Sequence, residues 1–233
     1  MSARHVLITG ATRGIGEALA RHCLASGDRV IGCARTAATV THERYEHCCL
    51  DVGNGPAVDR LFAEVRRRWG TLDVLINNAG VAAMNAIALT PTDTARRVVE
   101  TNVVGAFNVT RAAIRVMRRS PAGRIVNITS VAVPLRLEGE AIYAASKSAL
   151  EMFTRIAARE VAPFGITCNA VGPGPARTRL TAGVPEAKLQ TVIAAQAVRR
   201  WTEAADVVNV VEFFLRPESG MVTGQIVYLG GVG

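Results

Sequence analysis

The chain has 233 residues, 49 % of them hydrophobic and 20 % charged, which excludes a disordered protein and fits one α/β domain with a full core. Its formal charge is +8 and its pI about 9.9, carried almost wholly by arginine, because Lys147 and Lys188 are the only lysines. The arginines are scattered and gather on no single stripe, so they read as solvated helix faces, and no nucleic-acid partner is expected.

From the N-terminus, Val6–Thr9 is a short apolar run stopped by Gly10, and Ile15–Ala25 repeats apolar residues at helical spacing up to Gly27. Val30–Ala34 and Cys48–Leu50 read as the second and third strands, and Ala57–Trp69 as a helix closed by Gly70. Leu72–Ile76 is a fourth strand. Two helices follow, over Asp93–Asn102 and Gly105–Arg118, then a fifth strand, Arg124–Thr129. Tyr143–Ala162 is a long helix ended by Pro163, and Ile166–Val171 is the sixth strand. Glu203–Leu215 is helical with Thr202 as N-cap, and Gln225–Leu229 is the last strand. Strands this apolar, separated by helices, indicate a parallel sheet buried on both faces. The predicted fold is therefore α/β: a single domain over 1–233, built as a doubly wound parallel sheet of about seven strands with helices on both faces. The Pro-, Gly- and Thr-rich segment from Pro173 to Arg200 breaks the alternation and is expected to form a substrate lid around 175–200.

Cys23, Cys33, Cys48, Cys49 and Cys168 have neither CxxC nor zinc-like spacing, so free thiols in a reducing cytoplasm are expected, and no metal site. The first strand begins by about Arg4, and no 18-residue apolar span occurs. Neither a signal peptide nor membrane attachment is expected.

The first strand runs into Thr9-Gly10-Ala11-Thr12-Arg13-Gly14-Ile15-Gly16. Glycines there permit a sharp strand-to-helix turn, close approach of backbone N–H groups to a pyrophosphate, and tight helix packing. The helix N-terminus then faces the anion. The second strand ends Gly32-Cys33-Ala34-Arg35, without the carboxylate that would hold a free adenosine ribose. Arg13 and Arg35 instead offer two guanidinium groups to a 2′-phosphate, which predicts NADP(H). The plain alternative is two surface arginines in an arginine-rich chain.

Tyr143 and Lys147 stand four apart at the start of a helix and share a face. A tyrosine titrates near 10, too high for efficient proton transfer at neutral pH, and a nearby ammonium is expected to lower it. Ser130 follows the fifth strand at its C-terminal end, where ligands sit in open parallel sheets.

With Thr9-Gly10-x3-Gly14-x-Gly16, Asn77-Asn78-Ala79-Gly80, Asn102, Ser130, Tyr143-x3-Lys147 and Pro173-Gly174 in order, the chain resembles the short-chain dehydrogenase/reductase family, classical type, over its full length. The resemblance implies a Rossmann-type fold, with Tyr143 as proton donor in reduction and Lys147 holding the nicotinamide ribose. It also implies that Ser130 orients the carbonyl and that Asn102 holds a water linked to Lys147. The implied cofactor cleft is formed by Gly10, Thr12, Arg13, Gly14, Ile15, Gly16, Arg35, Asp51, Val52, Asn78, Ala79, Gly80, Tyr143, Lys147, Pro173, Gly174, Ala176 and Thr178. A homotetramer, or a homodimer, is implied as well.

Within the family the chain is most similar to the 3-oxoacyl-acyl-carrier-protein reductases. That implies NADPH-dependent reduction of a 3-oxoacyl thioester, linked to a carrier protein or to CoA, in fatty-acid or polyketide-type metabolism. A basic enzyme suits an acidic carrier protein. Three departures weigh against carrier docking: Phe164 where a basic residue often precedes the glycine, Ser120-Pro121-Ala122 near the fifth strand, and Leu229 before Gly230-Gly231. The alternatives are a reductase of a free small-molecule ketone and a non-catalytic NADP(H) sensor.

Overall fold

The computed structural model describes residues 3–120 and 122–232; Pro121, named above, lies outside them. Strands β1 (His5–Thr9), β2 (Arg29–Ala34), β3 (Tyr45–Cys49), β4 (Val74–Asn77), β5 (Arg124–Ile128), β6 (Thr167–Gly172) and β7 (Ile226–Tyr228) form one parallel sheet in the order β3-β2-β1-β4-β5-β6-β7.

Side-chain alternation along each strand sorts the core into two layers. Val6, Ile8, Val30, Val74, Ile76 and Val126 pack with helices α1 (Gly14–Ala25) and α8 (Ala204–Leu215). Leu7, Ile31, Leu75 and Ile125 face the other way, against α2 (Gly55–Trp69), α4 (Gly105–Met117) and α6 (Ala141–Val161). Leu7, Ile8, Leu75, Ile76 and Ile125 are wholly buried, each worth about 2 kcal/mol of transfer from water.

The two helices expected over Asp93–Asn102 and Gly105–Arg118 form one continuous run. Helix α3 (Thr92–Val99) passes through a single π turn, Glu100–Val104, into α4. The π turn carries Asn102, in keeping with the habit of such turns to mark functional positions. β3 begins at Tyr45, three residues earlier than its apolar run suggests, because it is the edge strand and its Tyr45, Glu46 and His47 are only half-buried. Thr202 does not cap α8. Glu203 does, in a reciprocal capping box with Asp206, whose carboxylate is also held by Arg200 at 2.7 Å; the Thr202 N–H goes instead to the Pro175 carbonyl. The short helix α5 (Ala132–Leu135) and helix α7 (Glu186–Ala194) complete the set. Among the described residues no helix is long and apolar enough to cross a membrane.

Candidate active site

The connections from the sheet run in opposite directions on either side of β1 and β4, so a crevice opens at the C-terminal ends of those strands, the place where ligands bind in this architecture. Thr9 closes the floor of that crevice. Its hydroxyl oxygen accepts the N–H groups of Asn78 and Ala79, both at 2.9 Å, while the Asn78 amide donates to the carbonyls of Thr9 (3.0 Å) and Gly10 (3.1 Å). Gly16 is required by this packing: a Cβ there would stand 2.3 Å from the Gly10 carbonyl oxygen and 2.4 Å from the Asn78 amide nitrogen.

The loop after β2 folds onto the glycine loop. The hydroxyls of Thr12 and Thr36 lie 3.2 Å apart, and Thr39 donates to the Thr12 carbonyl at 2.8 Å. Their sequence neighbours Arg13 and Arg35 therefore stand on adjoining loops. Both are exposed, and among the described residues neither makes an ion pair. Asp51 is exposed and caps its own turn by accepting the Gly53 N–H (2.9 Å), whereas Val52 is buried under the start of α4. Thr178 approaches the glycine loop from the opposite side, its methyl group 3.4 Å from the point a Gly14 side chain would occupy. Ala176 is buried beside it and holds the Thr181 hydroxyl through its carbonyl oxygen (2.7 Å). Pro173 is tied back to Val131 (3.1 Å), and Gly174 lies where Gln196 and Thr202 leave no room for a side chain.

Tyr143, Lys147, Ser130 and Asn102 converge beyond β5. Lys147, 4 % exposed, donates to the Ile128 carbonyl oxygen at 2.8 Å, and its ammonium is 5.9 Å from the Tyr143 ring centre. The Ser130 hydroxyl lies close enough to the Tyr143 phenol to ease its ionisation and itself accepts the Ala132 N–H at 3.1 Å. Asn102 brackets the backbone of Val81, accepting its N–H and donating to its carbonyl, both at 2.9 Å, and donates to the Ser146 hydroxyl at 2.9 Å. Gly80 packs closely against two of these groups: a Cβ there would lie only 3.3 Å from Lys147 Nζ and 3.4 Å from Asn102 Oδ1.

The electrostatics run against the expectation for Tyr143. Burial pushes its phenol up to about 12; the Ser130 hydroxyl pulls it down and Glu140 adds to the rise. Burial also pushes the Lys147 ammonium down to about 8. Lys147 does not offset the desolvation of Tyr143, because its Nζ is turned to Ile128.

A largely apolar cavity of about 550 Å³ lies between Ala86, Ile87, Val133, Leu137, Ala141 and Ala144, with none of Asn102, Ser130, Tyr143 and Lys147 in its lining. It borders the start of α6 on the side away from Lys147. Arg136, the one non-glycine residue with a left-handed backbone (φ 50) among those described, is in its wall. Lys188 on α7 reaches the same segment, its Nζ 3.2 Å from where a Gly139 side chain would begin. Glu140, next in sequence, is pushed up by burial and pulled back by Lys188.

Thr9 stands in the glycine motif without its tie to Asn78 and Ala79 being marked, Ser146 fills an unspecified position between Tyr143 and Lys147, and Glu151 lies outside the motifs altogether. Only Thr9 gives a signal, as the hydroxyl that directly precedes the glycine loop.

The comparisons with known proteins accord with this geometry. The family model described as "Enoyl-(Acyl carrier protein) reductase" matches residues 10–231. The chain belongs to the short-chain dehydrogenase/reductase family. It is 31 % identical over 231 residues to a 3-oxoacyl-[acyl-carrier-protein] reductase of Salmonella typhimurium, covering 97 % of this chain and 95 % of that one. A ligand-free aldohexose dehydrogenase of Thermoplasma acidophilum superposes with a TM-score of 0.89 at 28 % identity, covering 98 % of this chain and 93 % of that one. A short chain dehydrogenase of Leptospira borgpetersenii with bound NAD+ gives 0.90 at 25 %, covering 100 % and 93 %. The protein is an oxidoreductase of this family with a Rossmann-type fold, and a nicotinamide dinucleotide is the family's cofactor.

Proposed function

We propose that the protein reduces a carbonyl to an alcohol with NADPH, and that the carbonyl belongs to a 3-oxoacyl thioester. The observation that carries the reading is the convergence of Ser130, Tyr143 and Lys147 on one strand end beside the crevice. The crevice suits a dinucleotide: the glycine loop keeps its floor free of side chains, and Arg13 and Arg35 are exposed cations that pair with no carboxylate among the described residues. Gly10, Thr12, Arg13, Gly14, Ile15, Gly16 and Arg35 would hold the phosphate and adenosine end. Asp51 and Val52 would flank the adenine, and Asn78, Ala79 and Gly80 would line the middle. Pro173, Gly174, Ala176 and Thr178 would meet the nicotinamide end, and Lys147 its ribose.

When bound, the cofactor supplies a hydride to the carbonyl carbon. Ser130 donates to the carbonyl oxygen and orients it. Tyr143, held protonated by burial, gives that oxygen its proton. Lys147, charged below about 8, acts on the tyrosinate left behind only at longer range, its Nζ being 5.9 Å from the ring centre and bonded to the Ile128 carbonyl. Asn102, whose Oδ1 comes near Lys147 Nζ at Gly80, would hold the water that returns the proton. The segment around 175–200, with α7 over Gly139, would act as the lid.

The 3-oxoacyl assignment rests on the similarity to carrier-protein reductases. Phe164 does not leave its position without charge, for the Arg118 guanidinium stacks on its ring at 4.4 Å. That supports an acidic carrier protein as partner. A second reading, a free small-molecule ketone or sugar, is favoured by the likeness to the aldohexose dehydrogenase. In either case we place the protein in the cytoplasm, where five free cysteines stay reduced.

Steady-state NADPH oxidation with a 3-oxoacyl carrier-protein thioester, its cysteamine analogue, simple ketones and aldohexoses decides among these. Thioester turnover is expected to exceed that of ketones and sugars, and the reverse order selects the second reading. No turnover with any of them, together with tight NADPH binding, would establish a sensor.

A further inference from the structure

We infer that Glu151 and Tyr228 form a clamp that sets the catalytic serine against helix α6. The inference rests on the roles proposed above for Ser130 and Tyr143.

Three consecutive residues at the end of β5 meet three residues of α6. The Ile128 carbonyl accepts from Lys147 (2.8 Å), the Thr129 hydroxyl donates to Glu151 Oε1 (2.7 Å), and Ser130 neighbours the Tyr143 phenol. Residues 143, 147 and 151 repeat every four, so they follow one face of the helix. The outer two contacts belong to the reaction. The middle one touches no reacting atom, yet it commits a carboxylate to the interior: Glu151 is 5 % exposed. Burying a carboxylate is costly unless hydrogen bonds replace its water, and among the described residues Glu151 makes no ion pair.

Its second bond comes from the far edge of the sheet. Tyr228 on β7 donates its O–H to Glu151 Oε2 at 2.7 Å. β6 lies between β7 and β5, and Gly172 is the residue paired with Tyr228. A Cβ on Gly172 would stand 2.4 Å from Tyr228 Cδ1 and 3.2 Å from the Thr129 methyl. The absent side chain is what lets the phenol ring cross β6 and reach the catalytic helix. Thr129 is then held from both sides: its N–H donates to the Val171 carbonyl (2.8 Å), and its hydroxyl, 3.5 Å from the Lys147 carbonyl oxygen, donates to Glu151, which Tyr228 holds in turn. Ser130, the next residue, inherits that position. Hydrogen bonds to a charged acceptor are stronger and shorter than neutral ones, which suits them to fixing geometry. Displacement of a reacting group by about 1 Å costs about 100-fold in rate, so a partial loosening of Ser130 is expected to cost roughly tenfold. Glu151 and Tyr228 are positioning residues: they act on the reaction through Thr129 and Ser130.

The test compares Glu151→Gln, Tyr228→Phe, the double variant and Tyr143→Phe, in the full-length protein, with the panel substrate that turns over fastest. Turnover, substrate KM, NADPH binding by fluorescence and Tm are read on each. A roughly tenfold fall in kcat is expected for both single variants, with NADPH affinity and KM within about twofold. The double variant should be no slower than Glu151→Gln alone, because both changes open the same clamp. A kcat within twofold of the parent in Tyr228→Phe overturns the inference, and so does a loss of kcat matched by an equal loss of NADPH binding. Should Glu151→Gln fail to fold, Tyr228→Phe decides alone, since it removes one hydroxyl from a half-buried ring. Turnover retained in Tyr143→Phe removes the catalytic assignment and the clamp's purpose with it. A dead Tyr143→Phe beside a fully active Tyr228→Phe overturns the clamp only.

Discussion

Lys147 Nζ lies 2.8 Å from the carbonyl oxygen of Ile128, in a site from which water is almost wholly excluded. One neutral acceptor does not replace the hydration of an ammonium, and burial takes the group down to about 8 from its ordinary 10.5. The active site thus holds a cation at a cost to the fold, the usual price of a functional group in a dry pocket.

Replacing Lys147 by Met is therefore expected to abolish turnover and to stabilise the protein. A lysine held near 8 rather than 10.5 costs about 3 kcal/mol at neutral pH, partly offset by the bond lost to Ile128, so a net gain of about 2 kcal/mol is expected. The sign follows from proton counts. Between about 8 and 10.5 the unfolded chain keeps the proton that the folded one has released, so the penalty is full below 8 and fades as pH rises through that window. Urea unfolding at pH 7 and pH 10 checks this: the stability advantage of the variant should be larger at pH 7.

On the roles proposed above, the same group is expected to set the pH dependence of reduction. Tyr143, pushed up to about 12, stays a proton donor throughout the working range, whereas Lys147 loses its charge near 8. For the reductive direction kcat/KM is expected to fall above an apparent pKa of about 8. Lys147→Arg, whose charge does not titrate there, should lack that fall in whatever activity it retains. A parent profile flat from pH 6 to 10 would contradict the assignment.

The sequence made the interior strands legible and the edges and long-range ties obscure. β1, β4, β5 and β6 are largely buried, so apolar residues dominate their runs and the polar interruptions, such as Asn77, Asn127 and Asn169, are themselves buried; β3 is half wet and shows only its last residues. The spacing of Tyr143 and Lys147 placed them on one helix face, but burial decided the direction of the Tyr143 shift, and spacing carries no information on burial. The Glu151–Tyr228 bond joins residues 77 positions apart across a glycine on a third element, which no local pattern can encode. The α8 cap was misassigned to Thr202 by one residue, because Glu203 is an uncommon N-cap made effective here by Asp206 and Arg200.

Cofactor choice should follow Arg13 and Arg35. Thr12 and Thr36, 3.2 Å apart, bring the loops of the two arginines together at the rim of the crevice. A bond from a charged donor to a phosphate is worth about 1.5–3 kcal/mol. Arg13→Ala and Arg35→Ala are each expected to lower the NADPH-over-NADH ratio of kcat/KM at least tenfold, with kcat on NADH little changed. An unchanged ratio in both variants would show them to be ordinary surface arginines.

The assembly should depend on one apolar face. Phe107 on α4 sits edge-on to Phe153 of α6, with ring centres 6.3 Å apart, which joins the two helices into a continuous surface. Phe107, Met152 and Ile156 are 49, 55 and 50 % exposed on it. A patch of large apolar side chains on adjacent helices marks a protein contact more often than a free surface, and a second copy of this chain is the partner proposed for it. Ile156→Glu should reduce the mass by light scattering to that of a smaller species, because a symmetric contact meets the new charge from both sides. NADPH binding should survive, since the change lies on the outer face of α6. A parent protein that is monomeric at micromolar concentration would refute the pairing outright.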